Sequence, residues 1–192
     1  MYISRGNMKM SIPTWSLPTG VACPNSTPMC ERYCYAKKAE RFRKQVLPCR
    51  VHNYEESQRE SFVPGMIRVL ERRRKLEFFR IHESGDFYSQ EYLEKWLEIC
   101  KAFPNTRFLA FSNMWNLEWK VCPRNLVVFW SIWEDTDIGD RVHGGGLFAF
   151  IGNSRPELCV EEDVLVCPGH CDSCLMCFMG YENQKHVRFK IH

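Results

Sequence analysis

Short apolar segments bounded by turn residues predict a series of strands along the chain. The run at 126–133 is continuously apolar, which is typical of a strand buried on both faces of a sheet. An extended stretch at 10–17 comes first and is interrupted by prolines. The other strands are predicted at 78–82, 107–111, 147–151, 164–166 and 187–191, the last of them at a sheet edge.

Polar and charged sequence between these strands predicts helices. Residues 31–44 and 54–75 have helical patterns, and Pro64-Gly65 marks a break or a fresh start inside the second. Ser89 is suited to cap a further helix with a clear apolar stripe. Alternation of strands and helices implies an α/β fold with a mostly parallel sheet. Because 192 residues are too few for an eight-fold barrel, we expect a partial (β/α) barrel.

No linker-like segment divides the chain, so a single domain over 1–192 is predicted. Its parts would be a partial barrel over 1–155 and a cysteine-rich, cluster-binding segment over 156–192. The net charge is only +3, no apolar run is long enough to span a bilayer, and the first residues do not resemble a secretory signal. We therefore expect a cytoplasmic protein without a membrane partner, in which clustered cysteines serve as metal ligands or redox groups rather than disulfides.

The C-terminal cysteines form the strongest chemical motif in the chain. Their pattern is C-x3-C-x2-C-x2-C, and two-residue spacings let a turn direct successive sulfurs at one point, as in ferredoxin-type clusters. Zinc sites use similar spacings, commonly as two separated pairs, so zinc stays the alternative metal. The predicted ligands are Cys167, Cys171, Cys174 and Cys177.

A second group of cysteines lies near the N-terminus, with the pattern C-x6-C-x3-C. Cys23, Cys30 and Cys34 can hold three corners of a 4Fe–4S cluster and leave the fourth open to a substrate or cofactor. A fourth ligand from Cys49, Cys159 or the C-terminal cysteine group would close the site and favour electron transfer or a structural role. Two alternatives are that all seven cysteines serve one structural site, or that they form two zinc sites.

Glu83, Ser84, Gly85 and Asp86 directly follow a predicted strand. Two carboxylates beside a glycine could bind an amine or hydroxyls, since glycine lets a ligand approach the backbone. The alternative is a loop at a helix start, in which Asp86 or Ser89 is simply the cap. In parallel sheets ligands bind beyond the carboxyl ends of strands, so this segment and the N-terminal cysteines are expected on the same edge.

Two basic segments, 37–44 and 72–75, are relevant to whether the protein binds nucleic acid. Both lie on predicted helices, where such runs are most often solvated faces, and nearby acidic residues dilute their charge. A nucleic-acid partner is therefore the less favoured interpretation. The tryptophans that could stack bases are expected in the core or beside the site instead; they are Trp115, Trp119, Trp130 and Trp133.

Three stretches, taken in order, resemble a phage-associated family of the gene-product-eighty-eight type. They are SLPTGVACPNSTPMCERYCYA, RIHESGDFYSQEYLEKWLEICKAFPNTRFLAFSN and CPGHCDSCLMC. This resemblance covers roughly residues 12–177, and it implies a viral origin.

A more distant likeness connects the chain with radical S-adenosylmethionine enzymes. In that superfamily a three-cysteine loop after the first strand binds a 4Fe–4S cluster with one open iron, and a Gly/acidic motif after the second strand binds the methionine amine. The likeness implies that Cys23, Cys30 and Cys34 bind the cluster and that the segment 84–86 binds the methionine amine. It makes the segment 167–177 an auxiliary cluster site. The chain departs from the usual C-x3-C-x2-C spacing.

We therefore predict an iron–sulfur protein with one or two 4Fe–4S clusters and redox or radical chemistry at the N-terminal site. S-adenosylmethionine is the further cofactor that the likeness implies. One alternative is a non-enzymatic electron carrier or cluster-holding protein, and another is a zinc-binding module for nucleic acid or protein. The sequence names neither an electron donor nor a substrate.

Overall fold

A computed structural model describes most of the chain. The described residues are 1–7, 9–119, 122–137, 146–152, 154 and 161–191. Cys159, a candidate fourth ligand, lies outside them. The strands are β1 (Ile3–Ser4), β2 (Thr14–Trp15), β3 (Phe78–Ile81), β4 (Arg107–Ser112), β5 (Leu126–Ile132), β6 (Leu147–Ile151), β7 (Val164–Val166) and β8 (His186–Phe189). The helices are α1 (Pro28–Arg32), α2 (Tyr35–Phe42), α3 (Val46–Gln58), α4 (Phe62–Glu71), α5 (Gln90–Ala102), α6 (Cys171–Cys174) and α7 (Gly180–Asn183).

The eight strands form one sheet in the order β1-β2-β3-β4-β5-β6-β8-β7. Every described pairing is parallel except that of β1 with β2. The α/β class and the mostly parallel sheet are thus confirmed. Strands β2 to β6 follow one another in space as in a barrel, but no pairing between described strands closes the sheet, so barrel closure is not shown.

The cysteine-rich segment contributes to the same sheet. Strand β8 pairs with β6 on one side and β7 on the other, which leaves β7 at the edge. The prediction of an edge strand at 187–191 was therefore wrong. A four-residue strand with charged neighbours has the composition of an edge strand, and only long-range pairing places it inside the sheet.

One face of the sheet packs against α4 and α5. Trp15, Phe79 and Trp96 are fully buried there. Helix α5 begins at the predicted place, because the Ser89 hydroxyl accepts a hydrogen bond from the Tyr92 amide at 3.2 Å. The helical region predicted at 54–75 is interrupted near Pro64-Gly65, as expected: α3 ends at Gln58, and α4 makes a fresh start at Phe62 with Pro64 in its first turn. Proline is tolerated in the first turn of a helix, where its missing N–H would have no partner.

The other face is covered by the C-terminal segment. Leu109 of β4, Val127 of β5 and Val187 of β8 lie on this face, and Phe178 packs against them. Cys167, Cys171 and Cys177 also contact this apolar cluster. The strands buried on both faces carry continuous apolar sequence for this reason.

The predicted helix at 31–44 is divided in two. Helix α1 is capped by Thr27, whose hydroxyl accepts a hydrogen bond from the Cys30 amide at 3.1 Å. Helix α2 then starts directly after Cys34, which is its N-cap residue. In the described part of the chain, no helix is both long and apolar enough to cross a bilayer.

Candidate metal centres

The N-terminal cysteines lie in the loop that follows β2, beside the segment that follows β3. The Leu17 amide donates to the Ser84 carbonyl at 2.9 Å, and the Asp86 amide donates to the Ala22 carbonyl at 2.7 Å. These bonds hold the two loops together at the carboxyl edge of the sheet, as the sequence predicted. The edge is where ligands bind in α/β sheets of this kind.

The three N-terminal thiols are close enough to influence one another electrostatically. Burial, with the negative charges of Asp86 and Cys34 acting in the same direction, raises the pKa of Cys23 to about 12. Burial and the charges of Cys34 and Cys23 raise the pKa of Cys30 to about 12 as well. In the absence of metal these two thiols are therefore protonated at neutral pH, and binding a metal would release their protons.

Hydrogen bonds connect the segment 83–86 with the loops beside it. The Asp86 carboxylate accepts three hydrogen bonds of 2.7 Å, from the Ser112 hydroxyl and from the amides of Asn113 and Phe87. The Ser84 hydroxyl donates to the Leu17 carbonyl at 2.9 Å. The polar atoms of both side chains are thus engaged within the protein.

Gly85 is required where the two loops touch. Its φ of +84° lies in the left-handed region, and an added Cβ would come within 2.6 Å of the Leu17 Cβ. Glu83 lies nearer the surface, where its carboxylate accepts a hydrogen bond from the Asn7 amide group at 2.9 Å.

The four C-terminal cysteines line a single cavity of about 80 Å³. Helix α6 carries two of them, and Leu175, with a left-handed φ of +49°, turns the chain into the short helix Met176–Met179 that carries the last. Asp172 anchors this segment by accepting hydrogen bonds from the amide and hydroxyl of Ser11, at 2.6 and 2.8 Å. The rest of the cavity wall is mainly apolar. The cysteines that line it are Cys167, Cys171, Cys174 and Cys177.

Arg80 of β3 also lines this cavity. Its neighbours Phe79 and Ile81 point into the helix-side core, so strand alternation directs Arg80 to the opposite face. Its Nε donates to the His82 carbonyl at 3.1 Å, and its guanidinium carbon lies 4.1 Å from the centroid of the Phe111 ring. No carboxylate among the described residues forms an ion pair with Arg80.

Arg80 and the C-terminal thiols interact electrostatically. Burial lowers the pKa of Arg80, and negative charge at Tyr35, Cys177, Cys171 and Glu83 opposes this shift. Burial raises the pKa of Cys177 to about 12, while Arg80 opposes that rise. The cavity thus combines four thiols with one partly buried cation, whose charge thiolates would neutralise.

Tyr35 lies between the two groups of cysteines. It directly follows Cys34, and its hydroxyl donates to the Glu83 carbonyl. Burial of this hydroxyl raises the pKa of Tyr35 to about 12, which Arg80 opposes and Glu83 reinforces. Arg80 and Tyr35 therefore connect the C-terminal cavity with the N-terminal cysteines. Neither residue was predicted as part of a site. The available signal was a charged residue between apolar residues of the predicted strand 78–82.

The thiols of each group lie near one another, but they do not surround a position for a single metal ion. Among the described residues, no three side chains of Cys, His, Asp or Glu converge in the arrangement that a single metal ion needs. The ten described cysteines are free thiols. In a 4Fe–4S cluster the iron and sulfide core separates the thiolate ligands more widely than one ion does, and its usual ligands are four thiolates. The thiol-only donor sets fit that group in their chemistry.

The structure thus defines an α/β protein with one group of cysteines at the carboxyl edge of its sheet and a second group against one face. Residues 2–154 match the Gene product 88 family, and the chain belongs to it. The resemblance expected over 12–177 is shown only as far as residue 154, so the C-terminal cysteines lie beyond the matched range.

Two phage proteins are similar to part of the chain. The Gene 88 protein of Mycobacterium phage L5 is 30% identical over 105 residues, which cover 50% of this chain and 44% of that protein. The Gene 88 protein of Mycobacterium phage D29 is 28% identical over 105 residues, with the same coverage. The chain thus spans less than half the length of these relatives. No solved structure matches it, so the likeness to radical S-adenosylmethionine enzymes gains no support from known folds.

Proposed function

We propose that this protein binds iron–sulfur clusters at both groups of cysteines. The C-terminal group would hold a 4Fe–4S cluster for electron transfer or stability. The N-terminal group would hold a second cluster with one coordination position open, where redox or radical chemistry takes place. The observation that carries this proposal is the partly buried Arg80, which lines one cavity together with four thiols.

A guanidinium that loses part of its hydration without forming an ion pair is unfavourable, because no close opposite charge replaces the lost water. For Arg80 the described carboxylate that acts on it, Glu83, forms no ion pair with it. Four neutral thiols do not remove this cost. Four thiolates bound to a metal centre carry net negative charge and would do so, which explains why an arginine occupies this position. Zinc bound by four thiolates would offset the positive charge of Arg80 equally well. The contiguous C-x3-C-x2-C-x2-C spacing is what favours an iron–sulfur cluster over zinc.

The first experiment is anaerobic purification followed by an absorption spectrum and analysis of iron, sulfide and zinc. We expect a brown protein with about eight iron and eight sulfide per chain. The double substitution of Cys171 and Cys177 by serine should remove about half of each, and the same change at Cys23 and Cys30 should remove the other half.

The matched control is Cys122→Ser, which removes a half-buried thiol outside both groups. It should keep the full iron content. A colourless protein with stoichiometric zinc would contradict the proposal and would leave the zinc-binding interaction module as the better account. Iron that stays unchanged in either double variant would remove that site from the proposal.

A finer proposal is that the N-terminal cluster binds S-adenosylmethionine. An open cavity of about 500 Å³ borders this site, and Asn25 of the cysteine loop and Asn113 beside Asp86 line it. This volume is of the size that small-molecule sites have. We expect calorimetric titration of the loaded protein to show saturable binding, which Cys23→Ser with Cys30→Ser should abolish. No heat of binding in a fully iron-loaded sample would favour the non-enzymatic electron carrier.

A further inference from the structure

The outward surface of α2 and the residues that follow it form a cationic face that the proposed clusters do not explain. Within eight positions, the chain carries five basic side chains, all of them exposed. Of these, only Lys37 pairs with a described carboxylate, that of Glu31, at 3.5 Å. The α2 cationic face comprises Lys37, Lys38, Arg41, Arg43 and Lys44.

The acidic residue in this segment does not dilute the face. Glu40 is turned inward, where its carboxylate accepts hydrogen bonds from the Thr19 amide and hydroxyl at 3.0 and 2.6 Å. It also pairs with the buried Arg50 at 2.9 Å. The sequence-based argument that nearby acids weaken the basic run therefore does not apply to Glu40, while the exposed Glu31 offsets the charge of Lys37.

Apolar side chains are exposed beside the same face. Phe42 ends α2 and is 76% exposed, the largest exposure among the large hydrophobic side chains that the structure describes. The guanidinium of Arg41 lies 5.7 Å from its ring centroid. Leu47 and Val51, one turn apart on the neighbouring α3, are 42% and 39% exposed.

We infer that the α2 cationic face binds single-stranded nucleic acid. Positive side chains that follow a phosphate backbone, combined with an exposed aromatic ring on which a base can stack, are the two components of such sites. A duplex would use the charges but would leave Phe42 without a partner, since its bases are already stacked. An acidic polypeptide would likewise offer no planar base to the ring.

The position of this face gives the inference a further consequence. Cys34 is the N-cap residue of α2, so the cationic face extends outward from the N-terminal cysteines. A strand bound along α2 would pass next to that site. Nucleic-acid binding by the α2 cationic face does not require an iron–sulfur cluster. The result of the test below is therefore independent of the metal proposal.

The test is fluorescence anisotropy with a labelled oligothymidylate of roughly 20 nucleotides, titrated at about 50 to 200 mM salt. The charge variant is Lys38→Glu with Arg41→Glu and Lys44→Glu. It should bind at least tenfold more weakly and reduce the slope of log affinity against log salt by roughly two units, because three fewer phosphates are neutralised. Phe42→Ala should weaken binding by about five- to 150-fold with an unchanged salt slope.

The matched control changes three exposed arginines near the other basic segment, with Arg68→Glu, Arg72→Glu and Arg74→Glu. It alters the net charge equally and should keep the wild-type salt slope. Equal losses in the two triple variants would overturn the inference, as would absence of binding by the wild type at about 50 mM salt. A duplex or polyglutamate that competes as well as the oligonucleotide would overturn it too. All variants are compared at matched circular dichroism and iron content.

Discussion

Replacing Arg80 with methionine is expected to destabilise the metal-loaded protein while leaving the metal-free protein unchanged or more stable. Arg80 lines the C-terminal cavity with four cysteines, and it forms no ion pair with a described carboxylate, although negative charge at Glu83 opposes the lowering of its pKa. In the loaded protein the substitution would remove the cation beside the thiolates. Because Arg80 is only partly buried, we expect a cost between the roughly 1 kcal/mol of a surface pair and the roughly 3–5 kcal/mol of a buried pair. In the metal-free protein burial raises the pKa of Cys171 and Cys177, which favours their neutral forms, so the same change removes a partly buried charge that has no ion pair.

Urea unfolding of anaerobically loaded and chelator-stripped samples measures both effects. The matched control is Arg107→Met, because Arg107 forms a more exposed pair with Glu182 that is worth about 1 kcal/mol or less in either state. If stripping the metal unfolds the protein, the reduction potential supplies the second measurement. Loss of a nearby positive charge should make that potential more negative. Equal destabilisation with and without metal would contradict the assigned role of Arg80.

The positions of β3 to β6 along the chain could be predicted because each is a local apolar segment, and the alternation of strands and helices indicates a mostly parallel arrangement. Strand β8 could not be placed, since its position between β6 and β7 depends on pairing across distant sequence. The division of the predicted helix at 31–44 was also missed. Its cause is local geometry at Cys34, which has extended backbone and caps α2.

The two cysteine groups could be predicted because spacing alone brings thiols on one loop together. Arg80 could not, because the pattern of β3 does not say which face of the sheet holds the C-terminal segment. The segment 83–86 shows a different limit. A buried Ser and Asp can turn toward a ligand or toward the protein backbone with the same sequence, and in this structure Ser84 and Asp86 contact their neighbouring loops.

His82 is expected to make the protein less stable as the pH falls below neutrality. It is 2% exposed, its Nε2 lies 2.9 Å from the Tyr92 hydroxyl, and its Nδ1 has no partner among the described residues. Burial, with a smaller contribution from the positive charge of Arg80, lowers the pKa of His82 to about 3. In the unfolded chain the same imidazole has a pKa of about 6.5.

Because the unfolded state binds this proton more tightly, stability is complete above about pH 6.5 and is lost as the pH falls toward 3. The loss attributable to His82 between pH 8 and pH 5 is about 2 kcal/mol. Asp86 acts in the opposite direction. Burial raises its pKa to about 6, so its contribution is present at low pH and lost as the pH rises through 6. Comparing variants at each pH separates the two residues.

His82→Asn is the suitable variant, because His82 has a φ of +61° and asparagine tolerates the left-handed region. The variant loses packing and is less stable than the wild type at every pH. Its free energy of unfolding should nevertheless fall by about 2 kcal/mol less than that of the wild type between pH 8 and pH 5. His186→Asn is the control, since burial lowers the pKa of His186 as well but this residue is only half-buried. Nitrogen NMR of the imidazoles should show His82 still neutral at pH 5. A protonated His82 at that pH, or parallel pH profiles for wild type and His82→Asn, would show that its neutral state does not stabilise the fold.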